Sequence, residues 1–398
     1  MHVCRAWREI ALSNSALWDT PRLAVDKYHH TFPHVGFNPP TLTNFLMSWI
    51  RRAGDRPISL SLRGNEQTCF GRYQSYFVPF MVRIAPRVRS LELHVVGGLQ
   101  FGPEETVHWP LLEEITIGKV EARHLQPDFK TFVNAPQLRR LHLMDGVNPF
   151  YTCANVPWGQ LTVFSGEFGD LGCLSFLRQA VNLVECSLFF VDMDESMGAD
   201  LSMLSLPCLQ ILQLVERGSG WGPLASVLDC LILPALQDLE VTGVTDLDAE
   251  SYFPFLTRNC ARLQFLAVEA IPCEYFHQMP KLTSIDIWAA SAESIRDFFC
   301  RLQDPEARFL PQIEHISFFD CPLPTHSDAE MMARVLSSRW NAQQDGIAEI
   351  QSFCFQVADS YTKEEVVLDD LHEISRPLAE LAANGKWVYV GTEGKKCI

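Results

Sequence analysis

Basic residues are scarce in this sequence, and their scarcity restricts the partners that the protein can bind. The chain of 398 residues has 32 Lys and Arg against 48 Asp and Glu, giving a formal net charge of −16 at pH 7. A general nucleic-acid or anionic-membrane binder needs a basic face that neutralises phosphates. We therefore expect neither nucleic acid nor a membrane as a partner, and the acidic composition favours protein partners.

The sequence also lacks a Cys-x-x-Cys pair and a long uninterrupted apolar run. Its 13 cysteines are scattered and odd in number, which predicts reduced thiols and not a disulfide framework. The best apolar stretch, Leu224 to Leu239, is broken by Asp229, Pro234 and Asp238, so no membrane span is predicted. The first residues lack the apolar core of a signal peptide. We expect a soluble protein of the cytoplasm, the nucleus or both.

Catalytic and phosphate-binding motifs are absent as well. The chain has no Gly-x-Ser-x-Gly, His-Glu-x-x-His or Gly-x-x-x-x-Gly-Lys sequence. His30 and His34 have the spacing of a metal-binding pair, but Pro33 disfavours a helix there and no third ligand has motif spacing. The sequence predicts a non-enzymatic protein with no catalytic residue, cofactor or metal. An enzyme that uses a groove of the fold is the less favoured alternative.

What the sequence does contain is an internal repeat. A pattern of apolar-x-x-apolar-x-apolar recurs at a mean interval of about 25 residues, inside the range of roughly 20–29 for leucine-rich repeats. The copy at Leu161 (LTVFSG) is degenerate, an outlying copy begins at Ile350, and Ile58 opens a possible earlier strand. The ten main copies begin at Val88, Leu112, Leu138, Leu161, Leu183, Leu209, Leu236, Leu263, Leu282 and Ile313.

The spacing within the motif has a direct structural meaning. The last two apolar residues are two positions apart, so both lie on one face of a strand, while the residue between them faces solvent. One such strand cannot bury its apolar face alone, so successive copies must stack. Parallel strands pack about 4.8 Å apart, whereas helices need about 10 Å. We therefore predict an α/β leucine-rich-repeat solenoid with strands on its concave side and helices on its convex side.

Segments between the strands have helical patterns. Ser327 and Glu330, like Thr362 and Glu365, have the spacing of a capping box, which predicts helices from these points to about residues 339 and 372. A final helix from Asp369, followed by a strand, is expected to cap the last repeat. Further helices are predicted over residues 43–53, 248–259 and 292–302.

The solvent-facing strand positions form the predicted partner surface. Exposed aromatic residues anchor interfaces, which favours Phe189, Trp288 and Phe319, although these side chains could equally lie under adjacent loops or helices. The acidic residues Glu240, Glu269 and Asp286 on nearby strands could attract a basic segment, although such charges are more often simply solvated. The predicted concave-face residues are Glu92, His94, His142, Met144, Phe189, Gln213, Glu240, Glu269, Asp286, Trp288 and Phe319.

The N-terminal segment carries a family resemblance. Residues 3–27 read VCRAWREIALSNSALWDTPRLAVDK. In the first helix Val3, Trp7 and Ile10 lie on one face, and Leu17-Trp18 follow a polar turn. This segment resembles the C-terminal part of an F-box. With the Ser48–Gly54 helix end, the strand at residues 57–60 and the long degenerate array, the chain resembles fungal, basidiomycete-type F-box/leucine-rich-repeat proteins.

This resemblance implies a substrate receptor of an SCF-type cullin-RING ubiquitin ligase. Val3, Trp7, Ile10, Leu17 and Trp18 would contact a Skp-type adaptor, and the repeats would hold an unidentified protein substrate. Ligation chemistry then occurs on the ubiquitin-conjugating enzyme, and this subunit contributes proximity and orientation. The alternative is a leucine-rich-repeat scaffold unconnected with ubiquitin ligation.

The expected organisation has four parts. The F-box is expected to be truncated at its N-terminus, because the Leu-Pro segment and helices that begin an F-box are not in the sequence. The parts are a partial F-box (1–27), a helical linker with entry repeats (28–87), the repeat array (88–358), and a C-terminal helix and cap (359–398).

Overall fold

A computed structural model describes most of the chain, which divides into two compact units, Met1–Asp200 and Leu201–Ile398. Among the described helices, none combines the length and the apolar character that crossing a bilayer requires. The described residues are 4–24, 39–63, 74–94, 107–118, 132–144, 156–168, 171–191, 201–217, 224–243, 249–269, 273–304, 309–340, 346–358, 366–392 and 395–396.

The first unit is built on parallel strands that lie side by side in chain order, each paired with the next. Within its described residues these strands are β1 (Arg22–Ala24), β2 (Ile58–Arg63), β3 (Val88–His94), β4 (Glu114–Gly118), β5 (Arg140–Met144), β6 (Val163–Phe168) and β7 (Glu185–Val191). The helices are α1 (Arg5–Ser13), α2 (Pro39–Arg52), α3 (Gln74–Ile84) and α4 (Cys173–Leu177), with 3-10 turns at Ser15–Leu17, Ala85–Arg87 and Trp158–Gln160.

The second unit has the same construction. Its short strands β8 (Leu204–Ser205) and β10 (Leu231–Ile232) form a separate parallel pair. The main sheet contains β9 (Ile211–Arg217), β11 (Asp238–Thr242), β12 (Phe265–Glu269), β13 (Ser284–Trp288), β14 (His315–Cys321), β15 (Ser352–Val357), β16 (Trp387–Thr392) and the antiparallel β17 (Lys395–Lys396). Its helices are α5 (Leu224–Cys230), α6 (Ala249–Asn259), α7 (Ala292–Gln303), α8 (His326–Trp340) and α9 (Val366–Ala383), with 3-10 segments at Cys260–Arg262 and Cys273–Gln278.

The predicted repeat motif accounts for the core of both units. Every motif-opening residue, from Val88 through Ile350, is at most 1% exposed. The last two apolar positions of the motif stack in register across neighbouring strands, so each strand completes the apolar surface of the one before it. In the second unit one such row contains Leu212, Leu239, Leu266, Ile285, Ile316, Phe353 and Val388.

A buried residue three positions before each of the ten main motifs closes a turn that was not predicted from the sequence. The amide of Leu138 donates to the carbonyl of Ala135 at 3.1 Å, and Leu263 donates to Cys260 in the same way at 3.1 Å. Trp158 holds this position before Leu161. The repeat therefore starts earlier than the leucine pattern suggested.

Paired hydrogen bonds then fix the register of each strand on its predecessor. The carbonyl of Gln237 accepts from the successive amides of Gln264 at 2.7 Å and Phe265 at 3.1 Å. The carbonyl of Arg139 accepts likewise from Thr162 and Val163. Because a slip of one residue would exchange the buried and solvent faces of a strand, these paired bonds help to define which side chains reach solvent.

The degenerate copy at Leu161 has a packing explanation. Gly166 occupies the row position that Leu143 and Leu188 hold on the neighbouring strands. A Cβ atom at residue 166 would lie 2.9 Å from ring atoms of both Phe164 and Phe168. The two buried rings therefore fill the space that a leucine occupies elsewhere.

The cap of helix α8 differs from the prediction. Thr325, and not Ser327, caps this helix: its hydroxyl accepts from the amide of Asp328 at 3.2 Å, and Asp328 accepts back from the amide of Thr325 at 3.1 Å. Ser327 lies inside the helix, so the box is shifted by two residues. Asp328 also receives a bidentate pair from Arg296 on α7, at 2.6 and 3.2 Å. The predicted box at residues 362–365 lies outside the described residues.

Other predicted elements are present with small differences in their bounds. Helices α2, α6 and α7 correspond to the three further helices predicted from the sequence, and strands β2 and β15 to the two outlying copies. Between β12 and β13 the described residues contain only a 3-10 segment, because the interval from Leu263 to Leu282 is short. The predicted final helix and strand are present as α9, which begins at Val366, and β16, and Gly385, at φ 83°, lies between them.

The described cysteines are all free thiols, most of them buried. Burial raises the pKa of Cys321 to about 12 and that of Cys354 to about 11. These side chains therefore stay protonated at neutral pH and pack as small apolar groups.

Candidate functional site

The solvent face of the sheet in the first unit is dominated by cross-strand ion pairs. Glu92 on β3 contacts Arg63 on β2 at 2.5 Å and His94 Nε2 at 2.9 Å. Partial burial raises the pKa of Glu92, but hydrogen bonds from Ser61 and Arg63 and the charge of Arg63 outweigh it and bring the pKa below its usual value. Glu92 is therefore a charge neutralised by its neighbours.

The His94 ring lies over the next strand, where the absence of a side chain on Gly118 leaves room for it. A Cβ atom at Gly118 would lie 2.5 Å from Nδ1 of His94. The ring occupies the space beside Gly118, which leaves His94 half-buried. The predicted partner residue thus has a packing role in the sheet face.

A second ion-pair group surrounds Glu114 on β4. Arg140 NH1 lies 3.7 Å and His142 Nε2 3.9 Å from its carboxylate oxygens. Burial lowers the pKa of His142, and the attraction of Glu114 only partly offsets this effect. Met144, which is 43% exposed, and the half-buried Phe189 provide the apolar part of this face.

The sheet face of the second unit has a different character. Gln213, Glu240, Ala267, Asp286 and Ser317 follow one another across five neighbouring strands. Burial raises the pKa of Asp286, a hydrogen bond with Ser317 opposes this, and the negative charge of Glu240 adds to the rise. Glu240 and Asp286 therefore face each other, and among the described residues neither forms an ion pair with a Lys or Arg side chain.

An aromatic pair lies in the adjacent row. The rings of Trp288 and Phe319 stack with centroids 4.6 Å apart and planes inclined by 28°. Trp288 is 38% exposed, so part of its ring is open to solvent. Glu269 precedes Trp288 in the same row, and its Oε1 accepts from the amide of Gly243 at 2.9 Å.

The chain turns sharply directly after both aromatic residues. Ala289 has φ 52° and Asp320 has φ 54°, a left-handed conformation that costs roughly 1–2 kcal/mol for a residue other than glycine. The amide of Ala289 donates to the carbonyl of Phe319 at 2.9 Å, which ties the two turns together. The backbone thus places the two rings side by side at paired positions on neighbouring strands.

The residues predicted to contact an adaptor differ in their exposure to solvent. Trp7, Ile10 and Leu17 are 67%, 55% and 55% exposed, and Val3 lies outside the described residues. Trp18 is half-buried and its ring meets that of Trp49 on α2 edge-on at 5.5 Å. Its Nε1 donates to the carbonyl of Ala11 at 2.6 Å. Trp18 therefore joins α1 to α2, and its predicted contact with an adaptor stays a prediction.

One row of solvent-facing residues on the sheet of each unit was not predicted from the sequence. The residue before the second apolar position also points to solvent, because the period of two extends to it. Glu114 and Arg140 hold this position in the first unit, and Asp238 and His315 hold it in the second. Extending the alternation by one step would have identified them.

The absence of a metal site stays a prediction. His30 and His34 lie outside the described residues, and within the described ranges no three His, Cys, Asp or Glu side chains group as metal ligands.

Comparison with known proteins gives little further information. No family model and no curated protein matches the chain. Among solved structures, an internalin from Listeria monocytogenes is similar to it with a TM-score of 0.29 and 12% identity, over 71% of this chain and 76% of that one.

Proposed function

We propose that this chain is a non-enzymatic scaffold that binds another protein on the strand faces of its repeats. The stacked Trp288–Phe319 pair carries this proposal, since a partly exposed aromatic pair held by turned backbone is a typical interface anchor. The rows around it are regular and polar, which suits recognition of an extended partner surface. The ion pairs of the first unit give the scaffold fixed charges and not reactive groups.

A photo-crosslinking experiment tests the scaffold. The photoreactive residue p-benzoylphenylalanine would replace Met144 or Gln213 on the strand faces, and Val82 or Arg334 on helices α3 and α8 as matched controls. After irradiation in cells, we expect a protein to be crosslinked from a face position and not from the helix position of the same unit. Equal labelling of that protein from the helix positions would contradict binding on the strand faces.

The finer proposal is that the scaffold is the substrate receptor of an SCF-type ubiquitin ligase in the cytoplasm or nucleus. It is supported by the F-box resemblance of residues 3–27 and by the exposure of Trp7, Ile10 and Leu17. Three large apolar side chains exposed close together in sequence form a surface that a partner would cover. A repeat scaffold without a ligase remains the alternative.

Binding to a purified Skp-type adaptor separates these two functions. We expect biolayer interferometry to detect binding by the whole chain, and the substitutions Trp7→Ala and Ile10→Ala together to weaken it at least tenfold. Val133→Ala with Val181→Ala, which remove exposed apolar groups elsewhere in the same unit, serves as the control and should change binding less than twofold. Absence of any adaptor binding would remove the ligase proposal and leave the scaffold.

A further inference from the structure

The strand face of the second unit has acidic side chains that form no ion pair with a Lys or Arg among the described residues, although His315 attracts Asp286 electrostatically. Across β9 to β13, the solvent-facing positions hold Asp238, Glu240, Glu269 and Asp286 and, among the described residues, a single basic residue, Arg217 at the end of β9. In the first unit, by contrast, Glu92 and Glu114 are paired with arginines and histidines.

Two of these carboxylates face each other across an alanine. Glu240 and Asp286 are aligned with Ala267 on the strand between them, which places their Cα atoms about 10 Å apart. The small Ala267 side chain, only 3% exposed, lies beneath the gap and supplies no group that could pair with either carboxylate. A cationic group of planar shape would bridge the two acids at this point.

The aromatic pair lies one step along the same strands. Trp288 is two residues beyond Asp286 on β13, so both side chains are on the same face of the sheet. Glu269 flanks Trp288 on one side and Phe319 stacks on the other. The exposed part of the Trp288 ring is therefore bordered by negative charge, which is the setting in which an aromatic face attracts a cation most strongly.

We propose that this face of the second unit binds an extended, arginine-bearing segment of a partner protein, with one guanidinium between Glu240 and Asp286 and another on Trp288. The inference rests on the proposed function of the chain as a protein-binding scaffold and names the partner's chemistry. Arginine fits better than lysine, because the guanidinium is planar, donates two parallel hydrogen bonds to a carboxylate and stacks on aromatic rings.

Fluorescence anisotropy with a labelled peptide tests the proposal on the whole chain. The probe is a twelve-residue Gly/Ser peptide with four arginines, compared with the same peptide carrying lysine or the neutral isostere citrulline in their place. We expect the arginine peptide to bind, the lysine peptide to bind several-fold more weakly, and the citrulline peptide not to bind.

Isosteric variants test the named residues. Glu240→Gln with Asp286→Asn should weaken arginine-peptide binding on the order of tenfold or more, the loss expected for charged hydrogen bonds. Trp288→Leu should weaken it roughly two- to fivefold, while Trp288→Phe, which keeps an aromatic face, should retain most of the affinity. Glu293→Gln with Glu330→Gln makes the same change of net charge on helices α7 and α8 and should alter binding less than twofold.

Circular dichroism of every variant verifies that it is folded, and Trp288→Phe provides a folded comparison if Trp288→Leu is not. Equal binding of lysine and arginine peptides would overturn the assignment to arginine. An equal loss in the helix variant would show a general charge effect and overturn the site. If crosslinking finds a partner on the strand faces but no arginine peptide binds, this inference fails while the proposed scaffold function stands.

Discussion

The backbone of Glu216 leaves no room for a side chain on Gly243. A Cβ atom at residue 243 would lie 1.8 Å from the carbonyl oxygen of Glu216, and Gly243 itself has φ 90°. The amide of Gly243 also donates to Glu269, at the border of the acidic and aromatic rows. This close approach at the end of β11 therefore bears on the shape of the candidate site.

We predict that Gly243→Ala destabilises the protein by about 2 kcal/mol or more, because strain at a positive φ and a steric clash act together. Urea unfolding followed by circular dichroism measures the change. Gly346→Ala is the matched control, since Gly346 has φ 86° but nothing within 4 Å of a Cβ atom. Its cost should be about 1 kcal/mol, and equal costs for the two variants would argue against the clash.

Asn259 at the end of α6 completes the turn of the preceding repeat. Its Oδ1 accepts from the amide of Leu233 at 2.6 Å and its Nδ2 donates to the carbonyl of Phe255 at 2.8 Å. We predict that Asn259→Ala costs about 1–3 kcal/mol, because a buried amide then lacks an acceptor. The exposed Asn182→Ala, which loses one bond to Gly159, should cost clearly less in the same urea titration. A smaller loss at Asn259 than at Asn182 would contradict the assignment.

His142 should make the stability of the protein depend on pH. Burial holds its folded-state pKa below the ordinary value, so above about pH 6.5 histidine is mostly neutral in both states and stability is greatest. As pH falls from there through the folded pKa, the unfolded chain takes up the proton first and stability is lost. We predict that His142→Asn loses less stability than wild type between pH 7.5 and pH 5.5.

Urea midpoints at several pH values measure this difference. His108→Asn removes an exposed histidine from the same unit and serves as the reference for the loss of one imidazole. An unchanged slope in His142→Asn relative to that reference would show that His142 contributes nothing to the pH dependence.

The stability costs of substitutions at Gly166 and Phe168 should depend on each other. Gly166→Leu alone would overpack the space that Phe164 and Phe168 fill, at a cost of roughly 1–3 kcal/mol. Phe168→Ala alone leaves a cavity, at a cost of about 3–5 kcal/mol. We predict that the double variant costs less than the two single costs added together, because the leucine enters the vacated space. A double-mutant cycle from thermal unfolding measures the coupling, and strict additivity would contradict it.

The repeat was predictable because burial alone fixes it. A residue such as Leu266 or Ile285 must be apolar wherever the strand has one buried face, so the period of two and the interval between copies are visible in the sequence. The helix caps and turns were harder to predict from the sequence, since Thr325 and Ser327 both satisfy the preference for a capping residue. Only the packing of Asp328 against Arg296 distinguishes them.

The candidate site was partly predictable for a related reason. Alternation placed Glu240, Asp286 and Trp288 on the solvent side correctly, because the side of a strand depends on position only. Which charges are neutralised depends on neighbours that lie some 20 to 30 residues away in sequence. The pairing of Glu92 with Arg63, and the absence of such a pairing for Glu240 among the described residues, could not be read from spacing.

The sequence by itself determined the repeat, the strand that each copy forms, and the side of that strand that faces solvent, because these follow from periodicity and the cost of exposing apolar groups. Tertiary structure decided how Trp288 stacks on Phe319, why Gly166 replaces a leucine, and which of the described acids form ion pairs with arginine. Those properties arise from distances between side chains on different strands, and lateral stacking sets these distances only when the chain has folded.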